Sequence, residues 1–185
     1  MDLLVKLAEF NEIESKRLIL RPLKMSDAED MFAYASKKEN LKYIFPAHTD
    51  LETTKTSIAN LFMKEPLGKW AIVEKSTDKM IGTIDFVKVN PFDSHAELGY
   101  VLNKDYWGQG YMTEVVKTVT DISFQEFGLK TLDIVVDKRN IASSRVAEKC
   151  NYKKFDEYKS ANKYTKEIVN FIKYRLNRTD YWRIK

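Results

Sequence analysis

Residues Glu97 to Glu114 read Glu-Leu-Gly-Tyr-Val-Leu-Asn-Lys-Asp-Tyr-Trp-Gly-Gln-Gly-Tyr-Met-Thr-Glu. A strand-like run ends at Leu102, a glycine turn follows, and a helical apolar period begins at Met112. The chain has only six glycines, and Gly99, Gly108 and Gly110 fall inside this stretch. Glycine loses more backbone entropy on folding than any other residue. A cluster of it calls for positive φ or for close approach of the backbone to a ligand. A glycine turn feeding a helix N-terminus presents backbone N–H groups and the positive end of a dipole, which suits a phosphate. An ordinary strand-to-helix turn reads the same way, and Gly-x-Gly alone does not separate the two.

Working outward, Leu3, Leu4, Leu7 and Phe10 suggest a short amphipathic helix, and Arg17 to Leu23 reads as a strand. Ser26 with Glu29 forms a capping box for a helix through Lys37. Thr49 with Glu52 repeats it, and Ile58, Leu61 and Phe62 supply the buried stripe. Strands follow at Trp70 to Lys75, Met80 to Val89 and His95 to Leu102, the first two joined by a hairpin at residues 76–79. Beyond the glycine turn, Met112, Val115, Val116, Val119, Ile122 and Phe127 mark one helix face, stopped by Gly128. Leu132 to Val136 is a short strand. Asn140 caps a helix with Ala142, Val146, Ala147 and Cys150 inward, and Asn151 takes the left-handed position after it. Tyr152 to Tyr158 and Glu167 to Leu176 read as a closing antiparallel pair. The order β-α-α-β-β-β-α-β-α-β-β predicts one α/β domain over residues 1–185. Its mixed, mostly antiparallel twisted sheet has about seven strands, with helices on both faces and a parallel crossover from His95 to Val136.

Composition narrows the function classes. With 44% hydrophobic residues the chain can fill a core, and a net charge of +4 spread among 27 acids disfavours nucleic acid as the main partner. No apolar run reaches the length of a membrane span, and the N-terminus lacks the pattern of a signal peptide. The single cysteine, Cys150, excludes an intrachain disulfide and fits a reducing, cytoplasmic setting. One cysteine and two separated histidines, His48 and His95, argue against a metal site.

The whole pattern resembles the GNAT acetyltransferase superfamily, and within it the RimJ/RimL type that acetylates N-terminal amines of ribosomal proteins. Ser15-Lys-Arg-Leu-Ile-Leu-Arg-Pro-Leu23 is similar to its first strand, and Ile81-Gly-Thr-Ile84 to its third. Ala96 to Leu102 is similar to the fourth strand, Trp107 to Glu114 to the pyrophosphate loop, and Asn140-Ile-Ala-Ser143 with Glu148 to Tyr152 to the next-to-last helix. Each motif is modest alone; five in the right order are specific. There are departures. The loop usually opens with Gln or Arg, and Asp105 stands there. Asn151 replaces the usual glycine, and Ala147 stands where many members carry a tyrosine acid.

The resemblance implies acetyl transfer from acetyl-CoA to a primary amine. The expected acceptor is a protein N-terminus; the alternatives are a polyamine or antibiotic amine, or a non-catalytic acyl-CoA-binding module. A homodimer is compatible with it. The chemistry needs a held acyl carrier, a deprotonated amine, a stabilised oxyanion and a protonated thiolate. Gln109 to Met112 would cradle the pyrophosphate with backbone N–H groups. Tyr100, Val101 and Leu102 would pair with the pantetheine arm as an added strand would. Trp107 either covers the carrier or packs. Glu97 is the candidate base, on one face with His95 about 7 Å away; a structural ion pair is the competing reading. Asn140 and Ser143 lie one helical turn apart. By resemblance they meet the carrier, with Ser143 as acid; by local chemistry they are an ordinary helix cap. Tyr43, Phe45, His48 and Phe92 are candidate acceptor-binding residues. Cys150 is expected in the core.

Overall fold

The computed structural model describes residues 2–185. The chain falls into two compact units, one running to Asp85 and taking in Tyr100–Val115, the other holding Phe86–Gly99 and Val116–Lys185.

In the first unit, α1 (Leu3–Glu9) precedes β1 (Ile13–Glu14), β2 (Leu18–Arg21), β3 (Lys69–Glu74) and β4 (Lys79–Asn90), all paired antiparallel in that order. Between β2 and β3 come a 3₁₀ turn (Met25–Asp27), α2 (Ala28–Ala35), α3 (Lys38–Leu41) and α4 (Leu51–Ser57), which continues as a π-helical turn at Ile58–Met63. Met31, Tyr34, Leu41 and Ile58 bury themselves against Ala71, Val73, Met80 and Val101. Gly82 is fixed by crowding: a Cβ there would sit 2.2 Å from the Val101 carbonyl oxygen.

In the second unit, β6 (Thr131–Asp137) lies parallel to the start of β5 (His95–Leu102), and β8 (Ile168–Asn177) pairs antiparallel with both β6 and β7 (Lys153–Ala161). The helices are the end of α5 (Tyr111–Gln125), α6 (Ile141–Lys149) and α7 (Arg178–Ile184). The eight strands follow the order β1-β2-β3-β4-β5-β6-β8-β7.

The expected mixed, mostly antiparallel sheet with one parallel pairing is therefore present. It has eight strands where about seven were expected, because two-residue β1 is too short to show an alternation. Neither capping box forms as read: α2 opens behind a 3₁₀ turn without a side-chain cap, and the α4 cap is displaced by one residue. Asp27, bound by Arg21 at 2.7 and 2.8 Å, accepts from Lys24 N–H at 2.8 Å, and Asp50 accepts from Thr53 N–H at 2.7 Å. At α4, Asp50 outcompetes the neighbouring Thr49 hydroxyl because it is a charged acceptor at a positive helix end. The tail is helix α7 with Tyr181 buried. Gly128 and Asn151 take positive φ of 69° and 65°, as read. Ala142 faces outward, and Ser144, Ala147 and Cys150 form the buried side of α6. Among the described residues no helix is long and apolar enough to cross a membrane.

Candidate active site

The glycine turn is built as its sequence requires. Gly108 and Gly110 have φ of +76° and +79°, which a side chain tolerates poorly. Gly110 carbonyl accepts the first bond of α5, from Glu114 N–H at 3.0 Å. Helix geometry leaves the N–H groups of Tyr111 and Met112 without intrahelical acceptors. Their side chains point inward, 8% and 6% exposed, so only their backbone faces the turn. Nothing lies within 4 Å of where a Cβ on Gly108 would stand. An open rim, N–H donors and a helix start fit a phosphate-bearing ligand.

Asp105, the departure from the family's loop, is turned out to solvent with Lys37 Nζ at 3.5 Å. Gln109 folds back, its amide nitrogen 3.4 Å from the Asp105 carbonyl oxygen. The cation that reaches the turn is instead Arg17, whose Nη1 donates to the Gln109 carbonyl at 3.0 Å. Arg17 lies just before β2 and its partner, Glu114, on α5. Glu114 accepts from Arg17 N–H at 2.8 Å, Arg17 Nε at 2.7 Å and Ser15 Oγ at 2.7 Å. Burial opposes the charge, yet these bonds hold Glu114 below the ordinary carboxylate range. The guanidinium also lies 4.1 Å from the Tyr111 ring centroid, and Tyr111 hydroxyl donates to the buried Glu74. Sequence alone missed Arg17 and Glu114; they are 97 residues apart, and no local pattern links them.

The ladder between β5 and β6 ends at Leu98–Ile134, while β5 runs on to Leu102. Val101 and Leu102 side chains are core, leaving the backbone as what these residues offer. The Leu102 carbonyl is already engaged, accepting from Asn40 Nδ2 at 3.0 Å and Trp107 Nε1 at 2.9 Å. Trp107 thus pins the turn to the strand end while staying 41% exposed. Tyr100 is half-buried.

Glu97 and His95 share a face of β5, as alternation predicts. Glu97 is not enclosed by apolar groups: its side chain is 15% exposed and lies 3.5 Å from Lys88 Nζ. The fully buried carboxylate here is Asp133, which takes two bonds from Arg175 at 2.7 Å and one contact from His95 Nε2 at 2.9 Å. Burial works against its ionisation, but Arg175 and His95 hold it below the usual range.

In α6 the local reading is realised: Asn140 Oδ1 accepts from Ser143 N–H at 3.2 Å, so the two residues are brought together as a cap. Next to them Ser144 Oγ is buried without a hydrogen-bond partner among the described residues. Of the acceptor candidates, Phe45 and His48 meet, ring centroids 5.5 Å apart. His48 is held by Thr54 Oγ1 at 2.8 Å and Ser57 Oγ at 3.4 Å, and burial lowers its pKa. Tyr43 is partly buried with Lys42 Nζ 5.3 Å from its ring centroid. Phe92 sits on the turn before β5 and is 99% exposed, so it lines nothing within its own unit. Cys150 is buried, as expected of a core residue, and that burial pushes its thiol up to about 12, which disfavours the thiolate. No metal-ligand cluster occurs among the described residues.

A mixed sheet with a glycine turn opening a long helix makes an α/β protein with an anion-suited turn, and comparison with known sequences gives the family. Residues 17–153 match the family described as Acetyltransferase (GNAT) domain, and the chain belongs to it. It is 29% identical to the uncharacterized N-acetyltransferase YoaA of Bacillus subtilis (strain 168) over 177 residues, 90% of this chain and 99% of that protein. Its fold is similar to the ribosomal-protein-S5-alanine acetyltransferase of Vibrio fischeri, with TM-score 0.73, 21% identity, and 92% and 98% of the two chains covered. It is also similar to the microcin C7 self-immunity acetyltransferase MccE, solved with acetyl-CoA and AMP, with TM-score 0.78, 16% identity, and 88% and 93% covered. The chain is an acetyltransferase of the GNAT family.

Proposed function

We propose that the protein moves the acetyl group of acetyl-CoA to a primary amine, and that the amine is the N-terminus of a protein. The observation that carries the donor half is the open glycine turn at Gly108 to Met112. Its N–H groups would take the pyrophosphate, and the backbone of Tyr100 to Leu102 would meet the pantetheine amides through groups other than the Leu102 carbonyl. Support for a protein acceptor is the likeness to a ribosomal-protein acetyltransferase, which concerns fold.

For the chemistry, Glu97 accepts a proton from the acceptor ammonium, directly or through water, and the neutral amine attacks the thioester carbonyl. Lys88 Nζ lies 3.5 Å from the Glu97 carboxylate. As the tetrahedral adduct collapses, Ser143 passes its hydroxyl proton to the departing thiolate and is reprotonated by the proton the amine nitrogen sheds as the amide forms, while Glu97 gives its proton to water. Asn140 sets the helix start that carries Ser143. Tyr43, Phe45, His48 and Phe92 are the proposed acceptor contacts. The products are the acetylated amine and free CoA thiol.

The test is release of free thiol from acetyl-CoA by the purified protein, with N-terminal peptides set against polyamines and aminoglycoside-type amines. Turnover with peptides is the expected result. Turnover confined to small amines would replace the acceptor. CoA binding with no thiol release on any amine would leave a non-catalytic acyl-CoA module.

A further inference from the structure

The turn that opens α5 is held from behind by one side chain. Arg17 Nη1 donates to the Gln109 carbonyl at 3.0 Å. The Gln109–Gly110 peptide is trans, since no cis bond occurs among the described residues. In a planar trans peptide the C=O and the N–H point in opposite directions. The Gly110 N–H is therefore aimed away from the guanidinium, to the side of the turn opposite Arg17. A cation bound to the carbonyl also draws electron density out of the amide, which makes that N–H a stronger donor.

We propose that Arg17 is a positioning residue for the anion-binding turn: it fixes and polarises the Gln109–Gly110 peptide so that Gly110 N–H meets the phosphates of CoA. This rests on the acetyl-CoA reading above. It also explains why the chain tolerates Asp105 where the family's loop carries Gln or Arg. A side chain reaching from the loop is replaced by one acting through the backbone from the bend just before β2.

Three contacts make Arg17 rigid enough for this. Nε is tied to Glu114 Oε2 at 2.7 Å, its own N–H to Glu114 Oε1 at 2.8 Å, and its guanidinium plane packs on the Tyr111 ring at 4.1 Å. Glu114 is also the residue whose N–H closes the first turn of α5 on Gly110, so one residue anchors both the helix and the arginine. Because Glu114 neutralises Arg17, the arginine acts through orientation more than through long-range charge. Arg17 Nη2 is the atom nearest to where a Cβ on Gly110 would stand, at 3.7 Å, so the guanidinium follows the turn across the peptide. A lysine has a point charge and no fork, and cannot hold Glu114 and the carbonyl together in this geometry.

The experiment compares wild type with Arg17→Gln and Arg17→Lys. Three quantities are read: CoA affinity by calorimetry, affinity for phosphate-free pantetheine by NMR titration, and the Gly110 amide proton shift. We expect CoA affinity to fall at least tenfold in Arg17→Gln and by less in Arg17→Lys, with pantetheine affinity unchanged. The downfield movement of the Gly110 amide proton on CoA addition should be present in wild type and lost in Arg17→Gln. If Arg17→Gln fails to fold, Arg17→Lys carries the same readouts, with a reduced CoA affinity and a smaller Gly110 shift expected. A variant that melts earlier but binds CoA as wild type does would show a merely structural ion pair and overturn the proposal. Equal losses for CoA and pantetheine would overturn it as well. Wild type that binds no CoA would sink the acetyl-CoA reading and this proposal together.

Discussion

Two helices in this protein begin in opposite ways. α6 starts at Asn140, whose own side chain accepts from Ser143 N–H at 3.2 Å, while Asp137 accepts from the preceding Arg139 N–H at 2.9 Å. α5 starts at Gly110, which has no side chain and stands at φ +79°. The first arrangement satisfies one of its helix-start donors with its own side chain. The second cannot. Its carbonyl side is tied down by Arg17, and its N–H side is left to whatever binds there. A helix start capped by its own side chain offers fewer donors; one braced from behind and open in front suits an anion.

If α5 only holds the acyl carrier, chemistry and binding should separate under mutation. The largest effect is expected on chemistry. Glu97→Gln keeps shape and hydrogen bonding but cannot accept the proton, so kcat/KM should fall about 100-fold, the scale of general-base effects. The loss should shrink at high pH, where free amine is abundant, and CoA affinity should be unchanged. A destabilised but fully active variant would reduce the Lys88–Glu97 pair to a structural contact.

The next effect falls on the contrast itself. Gly110→Asn would give α5 the kind of self-cap that α6 has, since asparagine tolerates a left-handed backbone. CoA affinity should drop about tenfold, or about 1.4 kcal/mol, with Gly110→Asp lower still because it adds a negative charge. Calorimetry on folded variants decides it. Wild-type affinity in Gly110→Asn would mean that the N–H groups at this turn are not the receptor.

The strand, glycine turn and long helix were legible because each leaves a local mark: alternation in β5, two clustered glycines, and a valine-rich period in α5. Gly128 and Asn151 were legible for the same reason, as residues that accept positive φ. What brackets the turn was not. Arg17 reaches Glu114 and Gln109, and Asn40 reaches the Leu102 carbonyl, across 97, 92 and 62 residues. Such bonds depend on where the sheet places its strands. Two-residue β1 is beneath the length at which alternation means anything. The amphipathic tail hid α7 because its one anchor, Tyr181, stands among charged neighbours. Asp50 was passed over for Thr49 because adjacent capping residues look alike until the backbone selects one.

A smaller effect tests the other helix start. Asn140→Asp should still cap α6, and a carboxylate suits the helix dipole at least as well. Melting temperature should hold. If Asn140 meets the carrier through its amide, CoA affinity should fall several-fold, by under about 1.4 kcal/mol. If α6 is architecture alone, affinity will not move, and the cofactor-binding role of Asn140 is gone.

The same contrast between a satisfied and an unsatisfied group extends to carboxylates, and it gives the smallest prediction. Glu114 collects donors from Ser15 and Arg17 and is held below the carboxylate range despite its burial. Asp85, opposite Lys69 in the β3–β4 ladder, has no such set, because Lys69 Nζ donates to the Leu61 carbonyl at 2.7 Å. Burial pushes the Asp85 carboxyl up from 3.8 to about 6, with Lys69 opposing only in part. The signs are opposite. Glu114 adds stability that is present above its unfolded pKa and lost as pH falls through its folded one. For Asp85 the folded state holds the proton more tightly, so stability drops as pH rises from about 4 to about 6 and stays reduced above that. Asp85→Asn should therefore raise stability at pH 8 by about 1 kcal/mol. That is below the ~3 kcal/mol of the full displacement, because Asp85 keeps part of its surface in water. At pH 3.5 the gain should vanish, since the carboxyl is then protonated in the native protein as well. Melting curves at the two pH values check both signs. A variant less stable than wild type at pH 8 would show that Asp85 has a partner in solution after all.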